Sequence, residues 1–152
     1  MTDPSTIADR FGLGPIDQVS YAVRDMDEAV GRFSVLFGPF VVRPATLKGI
    51  RYRGRAADAE LLLGFGQSGS LEIELVQVLS GEFPQGEFLA QHGEGIHHVR
   101  FLVDDIEPKL AQMKAEGFTE AVWGENPGVR FAYLEAPFLG NGMVELLERR
   151  AA

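Results

Sequence analysis

Residues 16–27, Ile16-Asp-Gln-Val-Ser-Tyr-Ala-Val-Arg-Asp-Met-Asp, return eighty positions later as residues 96–107, Ile96-His-His-Val-Arg-Phe-Leu-Val-Asp-Asp-Ile-Glu. Ile, Val, Val and Asp are identical at 16/96, 19/99, 23/103 and 25/105. In each copy an alternating run that reads as a strand leads into apolar residues at helical spacing. Each half also closes on a similar run, Ile73-Glu-Leu-Val in the first and Val144-Glu-Leu-Leu in the second. The repeat pairs Gln18 with His98 and Glu74 with Glu145. All four are polar, metal-capable residues set in apolar strands.

Working outward, Ala29, Val30, Phe33, Leu36 and Phe37 mark a helix that starts at Asp25 and stops at Gly38-Pro39. Strand-like runs follow near 49–55, 59–66 and 71–79, so residues 16–79 read as a β-α-β-β-β module. Residues 1–15 read as an irregular arm and residues 80–94, rich in Gly, Glu and Pro, as a linker. Residues 95–149 repeat the order. Asp105 caps a helix carrying Ile106, Leu110 and Met113, and strands follow near 118–123, 129–135 and 142–148. Pro108 is tolerated because it lies in the first turn. Neither half buries much apolar surface alone, so the fold class is α+β, with two tandem βαβββ modules sharing one core within the chain or with a second chain.

The chain has 152 residues, 45% of them hydrophobic, with mean hydropathy near zero, as in an ordinary globular domain. A net charge of −8 argues against a nucleic-acid partner. The absence of cysteine excludes disulfides, zinc–thiolate sites and thiol nucleophiles. No apolar run approaches a membrane span and the first residues lack a signal-peptide pattern, so the expected location is cytoplasmic.

Side chains alternate along a strand. Val19, Tyr21 and Val23 are expected under the first helix, which leaves Gln18 and Ser20 opposite; Val99, Phe101 and Val103 do the same in the second half and leave His98 and Arg100 opposite. A carboxylate among apolar neighbours is costly unless paired or metal-bound. Glu74 and Glu145, at equivalent positions with an amide and an imidazole at the other two, therefore read as one shared polar centre. His97 falls on the apolar face and reads as a structural histidine; His92 reads as solvated. Lys48, Arg51, Arg53 and Arg55 form a basic cluster, with 51/53/55 spaced to share one strand face. That face suits an anionic substrate or a solvated edge. Phe65, Phe83, Phe88, Phe131 and Phe138 are candidates for the core or for a pocket wall. Gly140-Asn-Gly142 signals a tight turn.

Over residues 16–149 the chain resembles the vicinal oxygen chelate superfamily, which includes glyoxalases, methylmalonyl-CoA epimerases, extradiol dioxygenases and antibiotic-resistance proteins. The stretch Gly95-Ile-His-His-Val-Arg-Phe-Leu-Val-Asp-Asp-Ile is especially similar to epimerase-like members. The resemblance implies a cupped mixed sheet around a divalent metal (Zn, Ni, Co, Mn or Mg), with ligands falling on Gln18, Glu74, His98 and Glu145. Gln18 stands where epimerases usually carry histidine; the resulting set is similar to that of zinc-type glyoxalases and counts against an iron dioxygenase. The implied function is a metal-dependent isomerase, epimerase or lyase acting through a metal-stabilised enolate on an acyl-CoA or related carbonyl compound. Glu145 and Glu60 are the candidate bases, and Glu60 reads equally as an exposed acid beside Asp58. Arg51, Arg53 and Arg100 are the candidate substrate-binding residues. The alternatives are metal-free binding of a hydrophobic small molecule, a glyoxalase-type lyase, for which Leu75-Val-Gln-Val is an atypical stretch, and a dioxygenase. The resemblance also implies a homodimer.

Overall fold

The structure is a computed structural model that describes residues 6–150. A short helix α1 (Ile7–Phe11) precedes strand β1 (Gln18–Ala22) and helix α2 (Met26–Phe37). Three strands follow: β2 (Val41–Tyr52), β3 (Arg55–Ser68) and β4 (Leu71–Gly81). Helix α3 (Pro84–His92) leads to β5 (Gly95–Leu102), α4 (Ile106–Ala115), β6 (Thr119–Glu125), β7 (Val129–Ala136) and β8 (Gly142–Arg149). The strands close into one barrel in the order β1-β4-β3-β2-β6-β7-β8-β5. Both modules share a topology, with first and last strands parallel: β1 on β4 and β5 on β8. They meet within the one chain, antiparallel, along two unequal seams. β1 and β5 pair from Gln18↔Arg100 to Ala22↔Gly95, whereas β2 and β6 pair only at Arg51↔Trp123 and Tyr52↔Val122.

Three apolar clusters follow from strand alternation. The inner one fills the barrel with Ile50, Leu61, Val76, Phe83, Val122, Phe131 and Tyr133. Helix α2 covers the first module with Met26 and Ala29 against Val23 and Leu75; Tyr21 and Phe33 pack with them. Helix α4 covers the second with Ile106, Leu110 and Met113 against Leu134, Val144 and Leu146. Leu36 departs from the expected buried stripe of α2 and is 77% exposed, as is Phe138 at 76%. The helix starts also differ. Asp25 caps α2 by accepting from the Glu28 N–H at 2.9 Å. Asp105 makes no such bond; Glu148 of β8 accepts from the Ile106 N–H at 2.9 Å instead and is itself held by Arg130 at 2.7 Å.

Four segments depart from their sequence reading. The expected arm contains α1; its first five residues lie outside the described residues. The expected linker ends β4 and contains α3, which opens with Pro84, where the missing N–H costs nothing, and stops at Gly93 (φ 81°). β2 begins at Val41, well before residue 49. Pro44 is compatible because this half of β2 pairs with β3 on one side only. Arg51, Arg53 and Arg55 do not share one strand face: Arg53 (φ 48°) and Gly54 (φ 83°) form the two-residue turn between β2 and β3.

Gly81 closes the corner from β4 to α3 at φ 82°, and a Cβ there would stand 2.1 Å from the Asp58 carbonyl oxygen. Backbone strain and overlap act together, so Gly81→Ala is expected to destabilise by about 2 kcal/mol or more. The thermal midpoint should fall by about 5–10 °C; an unchanged midpoint would refute this account of the corner.

Candidate functional site

Four adjacent strands, β4-β1-β5-β8, carry the polar residues of the barrel interior. Register brings Ser20 level with both Glu74 and His98, and Gln18 level with Glu72 and Arg100; Arg100 is level with Glu145. Alternation then turns Gln18, Glu74, His98 and Glu145 toward the same interior, and all four are buried.

His98 Nε2 is the hub. It lies 3.0 Å from Gln18 Oε1, 3.0 Å from Glu145 Oε2 and 3.7 Å from Glu74 Oε1. The Ser20 hydroxyl donates to Glu74 Oε1 at 2.7 Å, and the Gln18 amide donates to Glu72 at 2.8 Å. On its other side His98 Nδ1 meets His97 Nδ1 at 3.0 Å. The Tyr133 ring lies 4.9 Å from the His98 ring, and the Gln85 amide donates to the Tyr133 hydroxyl at 3.4 Å.

Two carboxylates thus face one imidazole in a water-poor place. Burial pushes the Glu74 carboxyl up to about 7; His98 opposes the rise, Glu145 adds to it, and Ser20 and Arg100 oppose it. Burial, followed by the charges of Glu145 and Glu74, holds the Tyr133 hydroxyl well above its ordinary range. Burial and then His98 hold His97 well below its ordinary range, so that ring is neutral.

Among the described residues, no group of three or more His, Cys, Asp or Glu side chains is arranged as it stands to hold an ion. Glu74 is turned to Ser20 and stands 3.7 Å from the hub. The donor set nonetheless fits one. Ligands each about 2.1 Å from a shared ion stand roughly 3.0–3.4 Å apart. The two shorter hub distances already match that spacing, and Glu74 is the one donor that stands beyond it. A dication would also neutralise the Glu74–Glu145 pair that burial leaves undercompensated.

Beside the centre lies a chamber of about 310 Å³. Its apolar wall includes Ala45, Leu47, Leu61, Leu63, Phe65 and Phe131, and its polar end includes Glu74, Glu145 and Tyr133. Arg100 lines it and is tied to Asp17 through Nε at 2.9 Å and Nη2 at 2.8 Å, with Nη2 also 3.4 Å from Glu72. Arg149, at the rim, makes no ion pair among the described residues. A second cavity of about 240 Å³ lies behind His97, against α3.

The remaining sequence candidates fall elsewhere. Glu60 points away from the chamber, exposed, and accepts from the Thr46 hydroxyl at 2.9 Å. Arg51 pairs with Glu120 at 2.9 Å; Arg53 pairs with Glu135 and with Glu87, and neither arginine lines the chamber. Arg55 pairs with Glu82 at 2.6 Å. His92 is exposed on α3 and lines the second cavity. Tyr133, Ser20 and Glu72 join the site without having been singled out as site residues. Ser20 carried a signal, since it shares the parity of Gln18; Tyr133 carried none, because its strand reads as plain core.

A family model described as the glyoxalase/bleomycin resistance protein/dioxygenase superfamily matches residues 17–133. The chain belongs to this superfamily. Within curated proteins, this superfamily member is 24% identical over 98 residues to the uncharacterized protein YqjC of Bacillus subtilis (strain 168), spanning 64% of this chain and 64% of the length of YqjC. It is 29% identical over 126 residues to the uncharacterized protein YwbC of the same organism, spanning 80% of this chain and 89% of YwbC. Methylmalonyl-CoA epimerase from Mycobacterium tuberculosis superposes on it with a TM-score of 0.64 at 18% identity, covering 91% of this chain and 90% of that one. At that identity the likeness is one of fold.

The raised Glu74 carboxyl has a direct consequence in metal-free protein. Its folded value of about 7 lies above the ordinary 4.5, so the unfolded chain ionises first. Glu74 therefore costs the native state nothing at low pH and costs it progressively more as pH rises from about 4.5 to about 7. Urea midpoints across that range should decline more steeply in wild type than in Glu74→Gln; equal slopes would show that Glu74 titrates normally.

Proposed function

We propose that this chain is a divalent-metal-dependent isomerase or lyase that moves a proton on the carbon next to a carbonyl or thioester. The observation that carries the reading is the convergence of Gln18, Glu74 and Glu145 on His98 Nε2 at the polar end of an apolar chamber. A bound divalent ion would supply Lewis acidity to the carbonyl oxygen and stabilise the enolate beside it.

The chain's own residues supply the rest. Gln18, Glu74, His98 and Glu145 would hold the ion. Glu145 faces the chamber and is the base we assign to take the proton and return it. The Tyr133 hydroxyl stays protonated through any physiological range and is available as a donor at the same end. The apolar wall excludes water from the reacting carbon.

Inversion at a carbon needs a base on each face. The β3 positions facing inward are Ala57, Ala59, Leu61, Leu63 and Phe65, none of them an acid. With Glu60 outside, the chamber's carboxylates come from β4 and β8, and the β3 wall supplies none. An epimerase that relies on a β3 base is therefore less well supported than an isomerase or a lyase that uses Glu145. The chamber volume of about 310 Å³ suits a small carbonyl compound, or the acyl head of a CoA thioester whose tail leaves past Arg149. A second reading, metal-free capture of a hydrophobic small molecule, is favoured by the largely aliphatic and aromatic wall.

Elemental analysis of tag-free protein, reconstituted with Zn, Ni, Co or Mn, separates the two. The enzyme reading expects about one equivalent of metal per chain, lost in the Glu74→Ala/His98→Ala double variant. It also expects Glu145→Gln to slow deuterium exchange next to the carbonyl of a bound ketone or thioester by about 10²-fold or more. Absence of metal under all four conditions, with retained binding of apolar ligands, would favour the capture reading.

A further inference from the structure

His97 and His98 are consecutive residues of β5, yet both imidazoles are buried, at 1% exposure each. His98 faces the barrel interior. His97 lines the second cavity, where the Phe88 ring of α3 meets it edge-on with centroids 5.5 Å apart. The two imidazoles touch through Nδ1 atoms 3.0 Å apart. A hydrogen bond between two ring nitrogens needs one proton between them, so between two neutral rings the tautomer of one dictates that of the other.

Consider His98 as a ligand. A nitrogen that binds a cation carries no proton, so His98 keeps its proton on Nδ1 and donates it to His97 Nδ1. His97 then carries its own proton on Nε2. A neutral His98 without a cation would instead donate Nε2–H toward Gln18 Oε1 and Glu145 Oε2, both at 3.0 Å, and the roles reverse. His97 donates through Nδ1–H and its Nε2 becomes a bare lone pair. That Nε2 has no hydrogen-bond partner in the structure, and its ring forms part of the second cavity's wall. With both rings neutral, proton count and charge are the same in the two arrangements; only the sites of the two protons differ.

We infer that His97 is a positioning residue for the metal centre: by accepting the Nδ1–H of His98 it holds His98 Nε2 bare toward Gln18, Glu74 and Glu145. This rests on the metal-dependent reading above. It gives the neighbouring histidine a task that burial against Phe88 alone would not, and it connects the second cavity to the centre through a single imidazole.

The test reads the rings directly. Histidine-ring ¹H–¹⁵N long-range spectra of the whole protein are recorded without metal and during titration with zinc. The expected result is a joint switch: His98 moves from Nε2–H to Nδ1–H, and His97 from Nδ1–H to Nε2–H. Zinc bound at His98 with an unchanged His97 tautomer would overturn the inference and leave the metal reading intact. No zinc bound at all would overturn both. In competition with a fluorescent chelator, His97→Phe should bind zinc about 10–100-fold more weakly. His97→Asn, whose Oδ1 can accept where Nδ1 did, should stay near wild type. Equal affinity of the two variants would overturn the inference. Thermal midpoints of the metal-free variants check folding, and if the Phe variant fails to fold, the wild-type spectra decide.

Discussion

Glu74 and Glu145 are withdrawn from water within reach of one imidazole, and the interior of the barrel is organised around that cost. Burying a carboxylate without compensation is expensive, and burying two together more so. The chain compensates partially. Ser20 and His98 support Glu74, and Arg100 contributes a charge that Asp17 keeps at a fixed position. What remains uncompensated is what a dication would supply. The strong β1–β5 seam makes this feasible, because it sets the first strands of both modules side by side and the two parallel closing strands outside them.

The two copies of the module have diverged where the chemistry lies and also where it does not. At the hub, one copy contributes the neutral amide of Gln18 and the other the imidazole of His98, so the centre has one strong nitrogen donor. At the helices, one copy uses a local cap, Asp25, and the other a distant one, Glu148. The second arrangement ties the start of α4 to the far end of β8, so helix placement there depends on tertiary contact.

Much of this was legible in the residues. The offset between copies identified matching strands, and period-two alternation put Gln18, Glu74, His98 and Glu145 on interior faces. What escaped was set by contacts rather than by pattern. Pro84, Gly86 and Gly93 read as breakers, yet Pro84 opens α3, Gly93 ends it and Gly86 packs beside Val78. β2 begins at Val41, where Pro44 has room because the strand is paired on one side only. Arg51, Arg53 and Arg55 kept the spacing of one face, but the Arg53-Gly54 turn broke the strand between them. Glu60 was carried by resemblance, and alternation from Ala59 and Leu61, both buried, puts it outside. The parity that read His97 as structural is sound for its packing and silent about a ring reaching its neighbour's nitrogen.

The short β2–β6 seam has a consequence for the protein among its own copies. From Val41 to Leu47, β2 offers backbone donors and acceptors that no strand of the described chain takes up on that side. Such a ribbon, with Val41 and Val42 exposed, is a template on which another extended segment can lay itself down. Pro44 removes one donor from the row, and Arg43 and Lys48 add charges near its two ends. Replacing Pro44 and Arg43 by good strand formers would leave the centre untouched and turn this edge into a seed for aggregation.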